Sequence, residues 1–428
     1  MKRLLRLGPF AELLLLGLAL LVARAARAGD GYAPASPPQP ALQISGYTDV
    51  GFAVAQGDGT SFSPADTRLP ADYGTDPFAT AVNSRGDVAS TDSHGRFTNG
   101  FLPRSMGLGG GTPSFFINTA DLDVKYTSSS GRALIFTRLQ ILPRFSAGND
   151  TLLLLEQAFV RVLPFDSQEL ALFAGKFDSV FGIEYLDNEA NLRTGVTPSL
   201  IARYTTGQSL GLKGFFRLQL PALWSAVSVN LAMTNGGSLV ETLSPPDLSL
   251  AGRPIFTGRL SLEVNLPKVA LKVGASGMTG PRNDQHNPDV RQRSLGADAR
   301  LVWAGLSLSG EFIWISQDSG GADKLNGLGT QTAVSAFWAR GAYATLSYAL
   351  PTSAAGFVRR VTPYARFERR HAAFEGFRPY TVQRITAGVR LDLLDELALK
   401  AEYLWNGAVT GTSPVENNVF TTSLVFNF

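Results

Sequence analysis

The stretch LALKAEYLW, residues 397–405, alternates residue by residue between two kinds of side chain. One parity holds Leu397, Leu399, Ala401, Tyr403 and Trp405, and the other holds Ala398, Lys400, Glu402 and Leu404. A period of two is the repeat of a β-strand, whose successive side chains point to opposite sides of the sheet. The stretch therefore predicts a strand with one apolar face and one face that carries charge.

The same alternation recurs along most of the chain, for example in residues 294–303 and 381–393. With the turn signals between them, these patterns predict sixteen strands. They are residues 41–55, 113–127, 132–145, 152–164, 168–180, 206–220, 225–234, 253–266, 268–279, 293–304, 305–317, 329–350, 358–370, 381–393, 397–407 and 418–428. Every second connection is short, and the others are longer and polar, up to residues 56–112. The sequence thus predicts an all-β fold with unequal ends.

Three features favour a membrane barrel over a soluble sandwich. Charge recurs on one parity of successive strands, and all five tryptophans (Trp224, Trp303, Trp314, Trp338 and Trp405) lie at or near strand ends or in a turn. Tilted strands of about eleven residues give an apolar band of roughly 28 Å, close to that of outer-membrane barrels. We predict a transmembrane antiparallel β-barrel of about sixteen strands, with short periplasmic turns, long extracellular loops and water inside.

The N-terminus predicts export. Residues 1–28 have a basic start, a short apolar run and an Ala26-Arg27-Ala28 ending, which is typical of a signal peptide. Residues 29–40 are rich in proline and are interpreted as a periplasmic leader, so that the barrel occupies residues 41–428. Five of the 38 basic residues and one of the 35 acidic residues lie in residues 1–28, which leaves 33 basic and 34 acidic residues. This balance argues against a nucleic-acid partner.

The last residues, Leu424-Val425-Phe426-Asn427-Phe428, resemble the terminal phenylalanine signature of bacterial outer-membrane barrels. Further short motifs point the same way: SGYTDVGF at 45–52, EQAFV at 156–160, GKF at 175–177 followed by FGIE at 181–184, PYARFER at 363–369 and LKAEY at 399–403. In this order they resemble the outer-membrane porins related to the phosphate-selective group. The resemblance covers residues 41–428. It implies passage of small hydrophilic solutes and ions by passive diffusion, assembly as a homotrimer, and recognition of Phe428 and Phe426 by the barrel assembly machinery.

The charged parity would line the pore if the apolar parity faces lipid. The predicted wall residues are Lys213, Arg217, Arg259, Glu263, Lys272, Asp298, Arg300, Glu311, Arg366, Glu368, Arg384, Arg390, Lys400 and Glu402. Over the whole inward parity, which also includes charges of the first five strands, thirteen basic residues stand against ten acidic ones, and this slight excess favours at most a weak preference for anions. The resemblance further implies that the loop after the fifth strand folds inward and narrows the pore. Its candidate constriction residues are Glu184, Asp187, Glu189, Arg193 and Arg203.

Other functions are weighed against this one. His94, His286 and His371 lie in or beside predicted loops and lack a recognisable nucleophile motif, so no catalytic residue is assigned. The chain has no cysteine, and its scattered histidines predict neither a metal nor a cofactor. A substrate-specific anion channel, an adhesin that displays the 56–112 loop, and a barrel hydrolase stay open as alternatives.

Overall fold

The structure is a computed structural model, and it describes twelve segments of the chain. They are residues 41–55, 114–143, 151–165, 169–187, 189–205, 208–235, 254–281, 290–318, 336–352, 357–374, 379–410 and 418–428. The predicted signal peptide, the leader and the 56–112 loop therefore lie outside the described residues, as do residues 329–335 of the predicted twelfth strand.

Seventeen strands follow one another along the described chain. They are β1 (Ala41–Ala55), β2 (Ser114–Thr127), β3 (Ala133–Pro143), β4 (Thr151–Val162), β5 (Leu170–Asp178), β6 (Gln208–Leu220), β7 (Ser225–Thr234), β8 (Ile255–Leu266), β9 (Val269–Pro281), β10 (Arg291–Trp303), β11 (Leu306–Gln317), β12 (Phe337–Tyr348), β13 (Leu350–Pro351), β14 (Arg360–Phe374), β15 (Tyr380–Asp392), β16 (Leu397–Thr410) and β17 (Val419–Asn427). Since β13 has two residues and pairs beside β12 on the same edge of β14, sixteen long strands remain. The predicted number of strands is confirmed.

The sheet closes on itself, because β1 pairs antiparallel with both β2 and β17. All other neighbours pair antiparallel in chain order, so the ring has no free edge among the described strands. Closure satisfies the backbone groups that an open edge would leave unpaired. The predicted antiparallel barrel is confirmed.

One end of the barrel carries the short connections and the other the long ones, as the sequence predicts. At the short-turn end, Ala304 and Gly305 join β10 to β11 with φ of 47° and 88°. Positive φ at both positions is the geometry of a type I′ turn, whose twist matches that of the strands. The connections at the long-loop end include residues 179–207 between β5 and β6, which we call the inner loop.

The outer face is apolar. Leu295, Phe312, Phe367 and Ile385 are between 47% and 59% exposed, while polar neighbours in sequence such as Glu368 and Arg384 are fully covered. Trp224 and Trp303 are exposed at the short-turn end. Trp405 lies farther from its strand end than predicted, because β16 continues to Thr410. Such an apolar exterior is suited to lipid.

Helices are few in the described part of the chain. A 3₁₀ turn at Glu184–Asp187 and a short α-helix at Ala202–Thr205 lie in the inner loop, and a second 3₁₀ turn, Pro221–Leu223, joins β6 to β7. Among the described residues, no helix has both the length and the apolar character needed to cross a membrane.

Candidate functional site: the inner loop and the wall that holds it

The inner loop lies inside the barrel. Its residues contact eight strands, some of them on opposite sides of the ring: Tyr47 of β1, Arg138 of β3, Ser276 of β9, Arg300 of β10, Glu311 of β11, Glu368 of β14, Arg384 of β15 and Glu402 of β16. A segment outside the barrel cannot reach strands on opposite sides of it. The loop therefore crosses the lumen.

Two wall carboxylates, Glu402 and Glu368, accept backbone N–H groups from the later part of the inner loop. Glu402 accepts from Val196 at 2.9 Å and Thr197 at 2.8 Å. Glu368 accepts from Leu200 at 2.5 Å. Buried backbone amides need partners, and charged acceptors give the stronger hydrogen bonds. These two side chains therefore anchor one end of the loop.

Glu311 performs the same task for the other end of the loop. Its Oε2 accepts the N–H groups of Ile183 and Glu184, each at 3.2 Å. Gly182, with φ of +74°, lies so close that a Cβ there would meet Glu311 Oε1 at 1.8 Å. Glycine is required at this position, because any side chain would push the loop away from its acceptor.

Wall cations donate to loop carbonyls. Arg366 donates to the carbonyl oxygens of Thr197 at 2.8 Å and Pro198 at 3.0 Å, and Arg384 also donates to Pro198. Glu368 lies between the two guanidinium groups, 2.6 Å from Arg366 and 2.9 Å from Arg384, so the three charges compensate one another.

Two further cations, closer to the short-turn end, also donate hydrogen bonds to carbonyl oxygens of the inner loop. Arg390 donates to the carbonyls of Asn191 and Arg193 at 3.0 and 2.9 Å, and Lys400 donates to those of Ala190 and Gly195. We refer to these wall side chains together as the loop clamp. Its members are Glu311, Arg366, Glu368, Arg384, Arg390, Lys400 and Glu402.

The five candidate constriction residues occupy different environments. Glu184 and Arg193 are 7% and 5% exposed, and Glu189 is also buried. Asp187 pairs with Arg300 of β10, and their side chains are 36% and 32% exposed. The side chain of Arg203 lies outside the described residues. Of the four described candidates, Asp187 presents the most accessible charge.

Glu184 and Arg193 hold the loop together from within. Glu184 accepts hydrogen bonds from the N–H of Ser199 at 2.6 Å and from its hydroxyl at 2.5 Å. Arg193 donates to the carbonyl of Val196 at 3.1 Å and to that of Asp187 at 3.3 Å. Burial raises the pKa of Glu184 and lowers the pKa of Arg193, because both lose hydration of their charged forms.

Opposite the loop clamp, three wall charges remain partly exposed, and we call them the open sector. Arg217 and Lys272 each lie 2.7 Å from Glu263, and the three side chains are 35%, 29% and 14% exposed. Two cations share one carboxylate, so this sector carries net positive charge. Farther from the short-turn end, Arg259 and Asp298 form a buried pair at 2.6 Å.

The last predicted wall residue, Lys213, lies on β6 between Leu212 and Gly214, and Leu212 is exposed on the outer face. Its ammonium group is 4.4 Å from the ring centre of Phe173 and 4.7 Å from that of Phe177. Lys213 therefore faces inward, as do the other predicted wall residues.

Several inward residues are absent from the sequence prediction. Glu156 and Gln157 are consecutive and both buried, because the β3–β4 register shifts beside Arg138 and β4 holds an extra residue there. A strict period of two cannot place both side chains inside. Tyr47 donates its hydroxyl to Glu189 at 2.5 Å, and Tyr364 donates to Glu402. In both strands the tyrosine stands on a parity that is otherwise polar, and this pattern in the sequence would have predicted that Tyr47 and Tyr364 point inward.

Three buried carboxylates, Asp121, Glu156 and Glu189, bring one oxygen each within 4.8 Å of one another. Arg138 lies beside them, 2.7 Å from Glu189 and 2.6 Å from Asp123. A guanidinium group thus already supplies positive charge at this cluster.

No protein-family model and no curated protein matches this chain. Solved structures do. The outer membrane channel DcaP of Acinetobacter baumannii superposes with a TM-score of 0.51 at 9% identity, over 93% of this chain and 99% of that chain. An anion-selective porin from Comamonas acidovorans gives 0.49 at 10% identity, over 91% and 100%. The trimer form of OmpT from Vibrio cholerae gives 0.49 at 9% identity, also over 91% and 100%. At such identity the likeness to DcaP concerns the fold alone: this chain has the barrel fold of outer-membrane channels.

Proposed function

We propose that this protein is a porin of the bacterial outer membrane, through which small hydrophilic solutes and ions diffuse passively. The observation that carries the proposal is the inner loop. It crosses the lumen, most of its buried hydrogen bonds to the wall are made to the loop clamp, and the side chains of the open sector remain partly exposed. A barrel of sixteen strands is wide enough to enclose water around such a loop.

The apolar exterior supports the location in a lipid bilayer, where only a closed barrel keeps its backbone groups paired. Residues 1–28 as a cleaved signal peptide, residues 29–40 as a leader, and Phe426 and Phe428 as the signal read by the assembly machinery belong to the same proposal. Homotrimer formation rests on the sequence resemblance, as does the relation to phosphate-selective porins.

A weak preference for anions is part of the proposal. Its support lies in the open sector, where Arg217 and Lys272 share Glu263 as their carboxylate partner. In water such a surplus shifts the concentration of mobile ions modestly, so it favours anions without excluding cations.

Conductance across planar bilayers tests the proposal. We expect the refolded mature protein to give discrete, stable conductance steps in KCl and a reversal potential that indicates mild anion preference in a salt gradient. A barrel that inserts into membranes without conducting would overturn the porin proposal in favour of an adhesin or a hydrolase. Saturation of the current at low phosphate concentration would favour the substrate-specific alternative.

A further inference from the structure

Three phenylalanines form a continuous ring stack on the inner face of the barrel. Phe136 of β3 and Phe159 of β4 are directly paired, with ring centres 5.3 Å apart, and Phe159 lies 5.6 Å from Phe173 of β5. Their sequence neighbours Ile135, Val160 and Leu172 are exposed on the outer face, so the rings point inward. We call the three the aromatic ladder.

The ladder is only partly covered. Phe159 and Phe173 pack against a small cluster of Phe177, Val180 and Ala232, yet all three ladder residues keep intermediate exposure inside the barrel. Apolar surface toward water is unfavourable, and the faces and edges of phenylalanine rings attract other aromatic rings. A solute with an aromatic ring would cover this surface.

Charge at the two ends of the ladder differs. Arg138 at one end is 5.8 Å from the ring centre of Phe136 but is bound to Asp123 and Glu189, which offset its charge. Lys213 at the other end is 4.4 Å from the ring centre of Phe173; among the described residues it forms no ion pair, and Asp178 is the carboxylate whose charge acts on it. The positive end of the ladder is therefore Lys213.

We propose that the aromatic ladder and Lys213 form a binding step for small aromatic carboxylates on their way through the channel. The ring of the solute stacks on Phe159 and Phe173, and its carboxylate meets the ammonium group of Lys213. The carboxylates of Asp121, Glu156 and Glu189, near Arg138, oppose the reverse orientation. This inference rests on the proposed channel function and adds a class of solute to it.

Current block in planar bilayers tests the binding step, with benzoate as the aromatic probe and acetate as a probe of equal charge without a ring. We expect benzoate to reduce the KCl current through the wild-type channel in a saturable way, at a concentration about tenfold lower than acetate, which is the size of effect that ring stacking gives. Equal concentrations for the two anions would overturn the inference. A barrel that conducts no KCl would instead contradict the channel function itself.

Variants locate the step. Phe159→Leu and Phe173→Leu keep an apolar inward side chain but remove the ring, and each is expected to weaken benzoate block several-fold while acetate block stays unchanged. Lys213→Met is expected to weaken benzoate block at least as much. Phe367→Leu, which removes a ring from the outer face, is the matched control and should leave both probes unaffected. Unchanged benzoate block in all three inner variants would overturn the inference, and a heat-dependent shift on a denaturing gel like that of the wild type would show that the variant barrels are folded.

Discussion

The loop clamp and the open sector use the same residue types on the same face of their strands, but with opposite results. Arg366 and Arg384 enclose Glu368, and the side chains are 6%, 1% and 0% exposed. Arg217 and Lys272 enclose Glu263 in a similar way, yet their side chains are 35%, 29% and 14% exposed. The difference is the inner loop, which covers the first group. The same inward ion trio thus supports the loop where the loop covers it and faces the passage where the loop does not.

The largest expected difference between the sectors concerns stability. Replacing Glu368 with alanine leaves two guanidinium groups and the N–H of Leu200 buried without their carboxylate. Breaking a buried ion pair in this way costs about 3–5 kcal/mol, whereas a surface pair contributes about 0–1 kcal/mol. We expect Glu368→Ala to lower strongly the temperature at which the folded gel band converts to the unfolded one.

The matched control is Glu263→Ala, which removes a carboxylate between two cations in the open sector. Its conversion temperature should stay near that of the wild type. Equal losses in the two variants would show that the inner loop does not distinguish the sectors.

Ion selectivity should depend on the charges of the open sector rather than on those of the loop clamp. Removing both cations with Arg217→Ala and Lys272→Ala leaves Glu263 as the remaining charge of the trio. We expect the reversal potential in a KCl gradient to move toward cation preference, by up to about fivefold in the permeability ratio for each of the two charges removed, because one charge at about 4 Å in water is worth about 1 kcal/mol.

Arg293→Ala is the control for this measurement. Arg293 lies on the outward parity of β10 beside the exposed Leu295, and it pairs with Asp318 at 3.0 Å. Its loss changes the charge of the chain without changing the passage. A shift as large as that of the double variant would place the origin of selectivity outside the open sector.

A smaller effect is expected from pH. Burial raises the pKa of Glu184 above the ordinary value of 4.5, although hydrogen bonds from Ser199 act against the increase. The folded loop therefore holds this proton more tightly than the unfolded chain does. The contribution of this proton to the free energy of unfolding is complete below pH 4.5. It is lost as the pH rises through the raised pKa of Glu184.

Glu184→Gln keeps the shape of the side chain without its titration. We expect the conversion temperature of this variant to fall less than that of the wild type as the pH rises from the acid range. Asp395→Asn, at a side chain that is 71% exposed in the short-turn end, should follow the wild type. A wild-type curve that runs parallel to that of Glu184→Gln would exclude Glu184 as the titrating group.

The sequence predicts the strands well because their signal is local. In residues 397–405 the parity that holds Lys400 and Glu402 is the buried one, and the parity that holds Trp405 is half-buried to exposed. The rule fails where the backbone departs from ideal pairing. In β4 the extra residue turns both Glu156 and Gln157 inward, and only the register against β3 reveals it.

By itself the sequence determined the antiparallel barrel and the parity of its strands, because period-two alternation and turn signals act between near neighbours. Only the tertiary structure decided which charges hold the inner loop. The N–H groups of Glu184 and Val196 meet Glu311 and Glu402, acceptors that lie 127 and 206 residues away in the chain. Such partners come together when buried backbone amides must be satisfied inside a closed ring, and no local pattern encodes that choice.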